Sequence, residues 1–261
     1  MEYKTIEVKK NKDITTIFLN RTEVHNAMNE ALMKELVLCF KNLINDEKVR
    51  IIIITGKGKS FCAGADLNWM KSMVNYSKKQ NIQDSNLLLE LYDIIYHCPK
   101  PVIAKVNGHA FGGGLGLFAV CDLVISVPDC KFAFSEVKLG IIPSVISTYI
   151  ARRITGLAHM KRLFLTGERF TSAEAEKYGL IDYVVDEAEI DNVIQKYVSL
   201  FKTSGPMAVN EVKKLVDSYE ELSLKDYKNH TVEKIAELRI SKEGQEGINA
   251  FLEKRKSKWS E

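Results

Sequence analysis

What the 261-residue sequence lacks narrows it first. No stretch approaches the roughly 18 consecutive apolar residues that a membrane-spanning helix needs. The opening segment MEYKTIEVKKNKD mixes acidic with basic residues and has no apolar core, so neither a secretory signal nor an Arg-rich transit peptide is expected there. The five cysteines (Cys39, Cys62, Cys98, Cys121 and Cys130) are odd in number, scattered, and without paired metal-ligand spacing. They imply reduced thiols in a cytoplasmic-type compartment, not a disulfide framework. The histidines (His25, His97, His109, His159 and His230) form no H-E-x-x-H or similar pair, so no metal site is expected. Ser60 and Ser135 lie outside any G-x-S-x-G setting, which disfavours serine-hydrolase chemistry. There is no low-complexity tract and no repeat with a convincing period. A net charge of only +3 makes no strong demand for nucleic acid, though it suits a polyanionic small molecule.

What is present is an ordinary globular composition, 46% hydrophobic and 27% charged, in a chain long enough to bury a core without staples. Residues 5 to 8 and 14 to 19 read as two strands around a polar turn at Lys10–Asp13. Leu32, Leu36, Phe40 and Leu43 share one face of a helix expected from about Asn26 to Asn45. Ile51–Ile54 is a continuous β-branched run and so a strand buried on both faces. A helix is expected at 82 to 97, with Leu88, Leu91 and Ile95 on one face. Strands are expected at 102 to 106, 123 to 127 and 131 to 134, and a short helix is expected to end by Cys121. The alternation predicts an α/β domain. Thr171-Ser172-Ala173-Glu174 fits a helix capping box that Gly179 is placed to end, and from about residue 205 the pattern is helical without strands.

Three segments stand out for chemistry. Gly56–Leu67 follows the Ile51–Ile54 strand, Asn107–Gly116 follows the Val102–Val106 strand, and Phe134–Pro143 follows a third. Glycine and alanine at strand ends let a ligand approach the main chain, where unpaired N–H groups could meet a developing negative charge. The same glycines would serve equally in tight turns and close helix packing. A dinucleotide-binding reading competes weakly. The run from Gly56 lacks the third glycine of that fingerprint, and no G-x-x-x-x-G-K-[ST] occurs at these loops.

FCAGADL, NGHAFGGGLGL followed by Cys121-Asp122, and SEVKLGIIP resemble, in order and spacing, the three signature segments of the enoyl-CoA hydratase (crotonase) superfamily. The likeness runs from Asn20-Arg21 and Asn26-Ala27 through TGERFTSAEAEKYGLID to EGINAFLEKRK. It implies an α/β spiral of β-β-α units over residues 1–200 and a C-terminal helical trimerisation region over 201–261. The assembly it implies is a homo-oligomer, a trimer or a dimer of trimers.

The resemblance also implies roles. Ala65 and Gly113 fall where the family's two backbone N–H groups bind the thioester oxygen, and Glu136 falls on one of its two acid–base glutamates. The other glutamate should stand at position 116, where this chain has Gly116. In this the segments look closest to methylglutaconyl-CoA hydratase-like members. Ala63 to Asn68 (Ala63, Ala65, Asp66, Leu67 and Asn68 among them) are expected to contact the CoA moiety. Trp69, Met70, Met73, Phe111, Leu115 and Val145 are expected to line the acyl pocket, although each would serve equally as core. A neighbouring subunit's last helix makes Phe251 and Lys254 further candidates, with Arg255, Lys256 and Lys258 near the CoA phosphates or on a solvated face. No cofactor is expected, because coenzyme A enters with the substrate. The expected activity is hydration or dehydration across the 2,3 double bond. A double-bond isomerase and a non-catalytic or RNA-binding protein of the same fold are the alternatives.

Overall fold

The computed structural model describes residues 3–260. Strands β1 (Ile6–Asn11) and β2 (Ile14–Leu19) form an antiparallel hairpin, turned by Lys12 at φ 54°. Pairing continues to Asn11 opposite Ile14, so the turn is tighter than the polar run Lys10–Asp13 suggests. Helix α1 (Glu30–Asn45) buries Leu32, Leu36, Phe40 and Leu43 as the periodicity predicts. It begins later than expected, because Asn26 is drawn into a left-handed turn at φ 55°. The Asn29 side chain, accepting from the Leu32 amide, then caps the first turn.

A pattern now repeats. In the first turn, β3 (Ile51–Gly56) and the short β4 (Ser60–Cys62) precede helices α2 (Leu67–Met73) and α3 (Lys78–Tyr96). In the second, β5 (Val102–Val106) and β6 (His109–Phe111) precede α4 (Gly113–Ala119). In the third, β7 (Leu123–Ser126) and β8 (Lys131–Ala133) run through a 3-10 turn (Ser135–Leu139) into α5 (Ser144–Arg153) and α6 (Leu157–Thr166). Then follow β9 (Phe170–Thr171), α7 (Ser172–Lys177), β10 (Tyr183–Val184) and α8 (Ile190–Thr203). Each turn places one strand in a six-stranded sheet, ordered β1-β2-β3-β5-β7-β10, and one in a second sheet, ordered β4-β6-β8-β9. The chain therefore advances as a spiral with two sheet walls.

The Ile51–Ile54 run is buried on both faces for a visible reason. Ile52 and Ile54 join the main core with α1 and α3, while Ile51 and Ile53 lie under Ile190, Ile194 and Val198 of α8. Burying each such side chain is worth about 1.5–3 kcal/mol. The boundary expected at residue 200 falls inside α8, which packs on the sheet and runs to Thr203. The chain leaves the core at Ser204–Gly205, where Pro206 opens helix α9 (Pro206–Glu221).

Helices α9 and α10 (Leu224–Ile240) bury no side chain, and α11 (Lys242–Leu252) buries only Ala250. Val216, Val232, Ile235 and Ile240 stand exposed on them. The C-terminal tail folds back on the sheet's other end, where the Arg50 guanidinium donates to the Trp259 and Ser204 carbonyls. All five cysteines are buried and unpaired. Among the described residues, no helix is long and apolar enough to cross a membrane, and no three side chains are grouped to hold a metal ion.

Candidate active site

The Gly56–Leu67 loop is fixed by side chains that reach into it. The buried Asn26 donates from its amide to the Lys57 and Ser60 carbonyls, both at 2.9 Å. From the neighbouring turn, Asn107 accepts from the Gly56 amide at 2.9 Å and donates to the Gly58 carbonyl at 3.0 Å. Met28 brackets Ala65: its N–H donates to the Gly64 carbonyl at 2.6 Å, and its carbonyl accepts from the Asp66 amide at 2.8 Å. Gly64 sits at φ 87°, and a Cβ there would lie 2.7 Å from the Phe111 carbonyl, so this loop rests directly on the second one. Ala65 is exposed, and its own amide meets no acceptor among the described residues.

Asp66 is buried and fully engaged. Its carboxylate pairs with Arg21 at 2.8 Å and accepts from the Asn68 and Trp69 amides, capping α2. Burial pushes its pKa up, but the Arg21 guanidinium and those amides outweigh it and hold the carboxyl below the usual range. Its side chain is therefore committed to holding the loop, and contact with a ligand there falls to its neighbours.

In the second loop, Gly112 adopts φ 49° and ψ −124°, and its amide donates to the Ala133 carbonyl at 3.0 Å. The amide of Gly113, first in α4, meets no acceptor among the described residues, while its carbonyl accepts from the Tyr92 hydroxyl at 2.7 Å. A Cβ on Gly113 would collide with the Met28 methyl, so Met28 touches both loops. At Gly116 a Cβ would lie 2.5 Å from Ile146 Cγ2 and 2.9 Å from Tyr92 Oη. No longer side chain fits there without displacing both.

Glu136 stands on the 3-10 turn after β8, over the second loop. Its Oε1 lies 3.1 Å from where a Gly112 Cβ would be, a contact only glycine leaves open. Its Oε2 is buried without a hydrogen-bond partner among the described residues. Burial pushes its pKa above the ordinary carboxylate range. A carboxyl able to take up or release a proton thus sits beside a loop that bears an unpaired amide, with a second such amide on the loop packed against it.

Of the other expected contacts, Ala63, Trp69, Met70 and Met73 are half-buried and Leu67 and Asn68 are exposed, all around the β4–α2 junction. The Trp69 indole donates to Asp84 at 3.1 Å. Phe111 is half-buried beneath the Arg169 guanidinium, 5.7 Å from its ring centre. Leu115 lies wholly inside the hydrophobic core, and Val145 packs half-buried against it. Phe251 is 82% exposed and Lys254 is exposed. Both belong to the tail region that packs near Arg50, at the start of β3, whereas the two loops follow the ends of β3 and β5. One chain does not bring them to Glu136. Arg255 is occupied by Glu246 and Glu253. Sequence reasoning assigned no role to Asn26, Met28, Tyr92 or Asn107. Tyr92 lies between Leu88 and Ile95 on α3 at helical spacing, which reads only as core.

The profile of a family described as Enoyl-CoA hydratase/isomerase matches residues 9–261. A short-chain-enoyl-CoA hydratase of Clostridium acetobutylicum is 30% identical over 257 residues, 98% of this chain and 97% of its own. A 1,2-epoxyphenylacetyl-CoA isomerase of Escherichia coli is 30% identical over 256 residues, 94% of each chain. The crystal structure of an enoyl-CoA hydratase from Shewanella pealeana superposes with a TM-score of 0.95 at 36% identity, covering 99% of this chain and 97% of that one.

Proposed function

The chain belongs to the enoyl-CoA hydratase/isomerase family of the crotonase superfamily, and from there we propose that it is a hydro-lyase acting on an enoyl-CoA thioester. Ionised Glu136 takes a proton from water as the water oxygen bonds to the β-carbon. The electron pair of the double bond moves onto the thioester oxygen, which accepts from the Ala65 and Gly113 amides. The enolate then collapses, and the same carboxyl returns its proton to the α-carbon. Dehydration is the reverse. The chemistry needs no cofactor, and a branched substrate such as methylglutaconyl-CoA is the one that the motif likeness nominates.

The observation that carries the reading is half-buried Glu136, its Oε2 buried without a partner among the described residues, beside the loop that ends in the free Gly113 amide. Burial serves the mechanism twice. It raises the carboxyl's affinity for the proton it must take, and it strengthens each hydrogen bond to the enolate.

The lone carboxyl favours a second reading, a double-bond isomerase, since moving one proton between two carbons needs only one base. Incubation with crotonyl-CoA, a 3-enoyl-CoA and methylglutaconyl-CoA, with products separated by chromatography against isomer standards and then weighed, separates the two. A gain of 18 mass units marks hydration, and a moved double bond at constant mass marks isomerisation; neither product from any of the three would sink the proposal. The apolar side chains bare on α9–α11 suit burial in a homo-oligomer, a trimer or a pair of trimers. In such an assembly Phe251 and Lys254 would serve a neighbouring copy's site. The buried free thiols suit a reducing, cytoplasmic compartment.

A further inference from the structure

Tyr92 is wholly buried, and its hydroxyl has one hydrogen bond, donated to the Gly113 carbonyl at 2.7 Å. The ring cannot turn away from that carbonyl. It packs edge-on against Tyr149 at 5.7 Å between centres, and Tyr149 is itself fixed by donating to Asp93 at 2.6 Å. Its other side fills the space beside Gly116, with Cζ 2.8 Å and Oη 2.9 Å from where a Cβ would stand. The volume in which a side chain at position 116 would lie is therefore taken by a phenol.

The peptide between Gly112 and Gly113 carries the amide that the proposed function relies on. It lies in a run of three glycines, the least restrained backbone a chain can have. Its own carbonyl, that of Gly112, accepts from the Leu115 amide at 3.0 Å, and two further hydrogen bonds bracket it. On the near side the Gly112 amide is tied to the Ala133 carbonyl at 3.0 Å, and on the far side the Gly113 carbonyl is tied to Tyr92. Tyr92 supplies the one side-chain tie among them, so its loss would leave the plane held by main-chain bonds alone.

We infer that Tyr92 is a positioning residue for the reaction: its hydroxyl clamps the Gly113 carbonyl so that the Gly113 amide stays aimed at the thioester oxygen. The role rests on the reading of Gly113 as an oxyanion donor. Burial keeps the phenol protonated across the working pH range, so it acts as a fixed donor and exchanges no proton with substrate.

The test uses Tyr92→Phe, which keeps the ring and removes the donor, with a non-reacting acyl-CoA carrying carbon-13 at the thioester carbonyl. In the native protein, binding should lower the carbonyl stretching frequency, the mark of hydrogen bonding to its oxygen. In Tyr92→Phe that lowering should shrink. With a turned-over substrate, kcat should fall roughly 10- to 100-fold, part of the factor of about 100 to 1,000 that a whole oxyanion donor supplies, while KM stays within about threefold. A variant with the native stretching frequency and kcat within twofold of native overturns the role. A native protein that leaves the stretch unmoved overturns the proposed function, and this inference with it. Should Tyr92→Phe fail to fold, 3,5-difluorotyrosine at position 92, a stronger donor of nearly the same shape, should lower the frequency further. An unchanged frequency then counts against the clamp.

Discussion

The loop after β3 and the loop after β5 each end in a free amide, but one is held by polar bonds and the other by fit. Around Ala65, Asn26, Asn107, the Met28 backbone and the Arg21–Asp66 pair all reach in with hydrogen bonds. Around Gly113 and Gly116, Met28, Ile146 and the Tyr92 ring close in until not one more carbon fits, and a single side chain, the Tyr92 hydroxyl, adds a polar tie to those of the main chain. The first kind of loop should therefore break when an atom group is taken away, and the second when one is added.

Glu136 lies outside that contrast and sets its scale. Glu136→Gln should lower turnover by about 100- to 10,000-fold while calorimetry still registers acyl-CoA binding; near-native turnover would remove Glu136 from the reaction. Next, Gly113→Val drives a branched side chain into Met28 and should cost about 100- to 1,000-fold in kcat, read by steady-state kinetics on folded protein. Equal kcat would mean that this loop is not held by fit. For the first loop, Arg21→Ala strands the buried Asp66 carboxylate and should cost about 3 kcal/mol of stability. Urea unfolding measures it, and a cost below 1 kcal/mol would show the charge pair to be dispensable. Gly116→Ala, one added carbon, should cost about 1–3 kcal/mol through overpacking, with no gain of activity. A neutral result would mean that Tyr92 and Ile146 yield easily.

The smallest effect concerns pH. A carboxyl whose proton affinity is raised by folding is bound to its proton more tightly in the folded state than in the unfolded one. Stability is then lost as pH rises from the ordinary glutamate range, about 4.3, through the raised value. Glu136→Gln abolishes that loss, so the variant should be more stable than the native protein at neutral pH and no more stable at low pH. Parallel pH–stability curves for the two would contradict it. The acidic limb of the native pH–rate profile should likewise lie above the ordinary glutamate range.

Much of this was legible beforehand where local chemistry decides. Val102–Val106 emerges with the expected bounds because a stretch rich in β-branched residues is closed by Pro101 and Asn107. The Thr171–Glu174 capping box forms as its spacing requires. Elsewhere tertiary contacts decide. Strands of three residues such as β4 and β6 show no period of their own and exist only because successive turns of the spiral pair them. The start of α1 is displaced because Asn26 satisfies carbonyls far along the chain. At the site, the missing carboxylate at position 116 could be read directly. That a tyrosine from α3 occupies the vacated space could not, since nothing in its spacing distinguishes it from a packed leucine.

The five interior cysteines turn the protein into its own reporter of opening. Only the thiolate reacts with alkylating reagents, and burial raises the Cys39 thiol to about 11 and that of Cys62 to about 12. Folded molecules should be inert to such reagents, so any labelling counts excursions in which a segment parts from the core. Cys62 ends β4 directly beneath Gly114, whereas Cys39 rides on α1. The ratio of their labelling rates would tell whether the reactive end of the spiral breathes independently of the helix behind it.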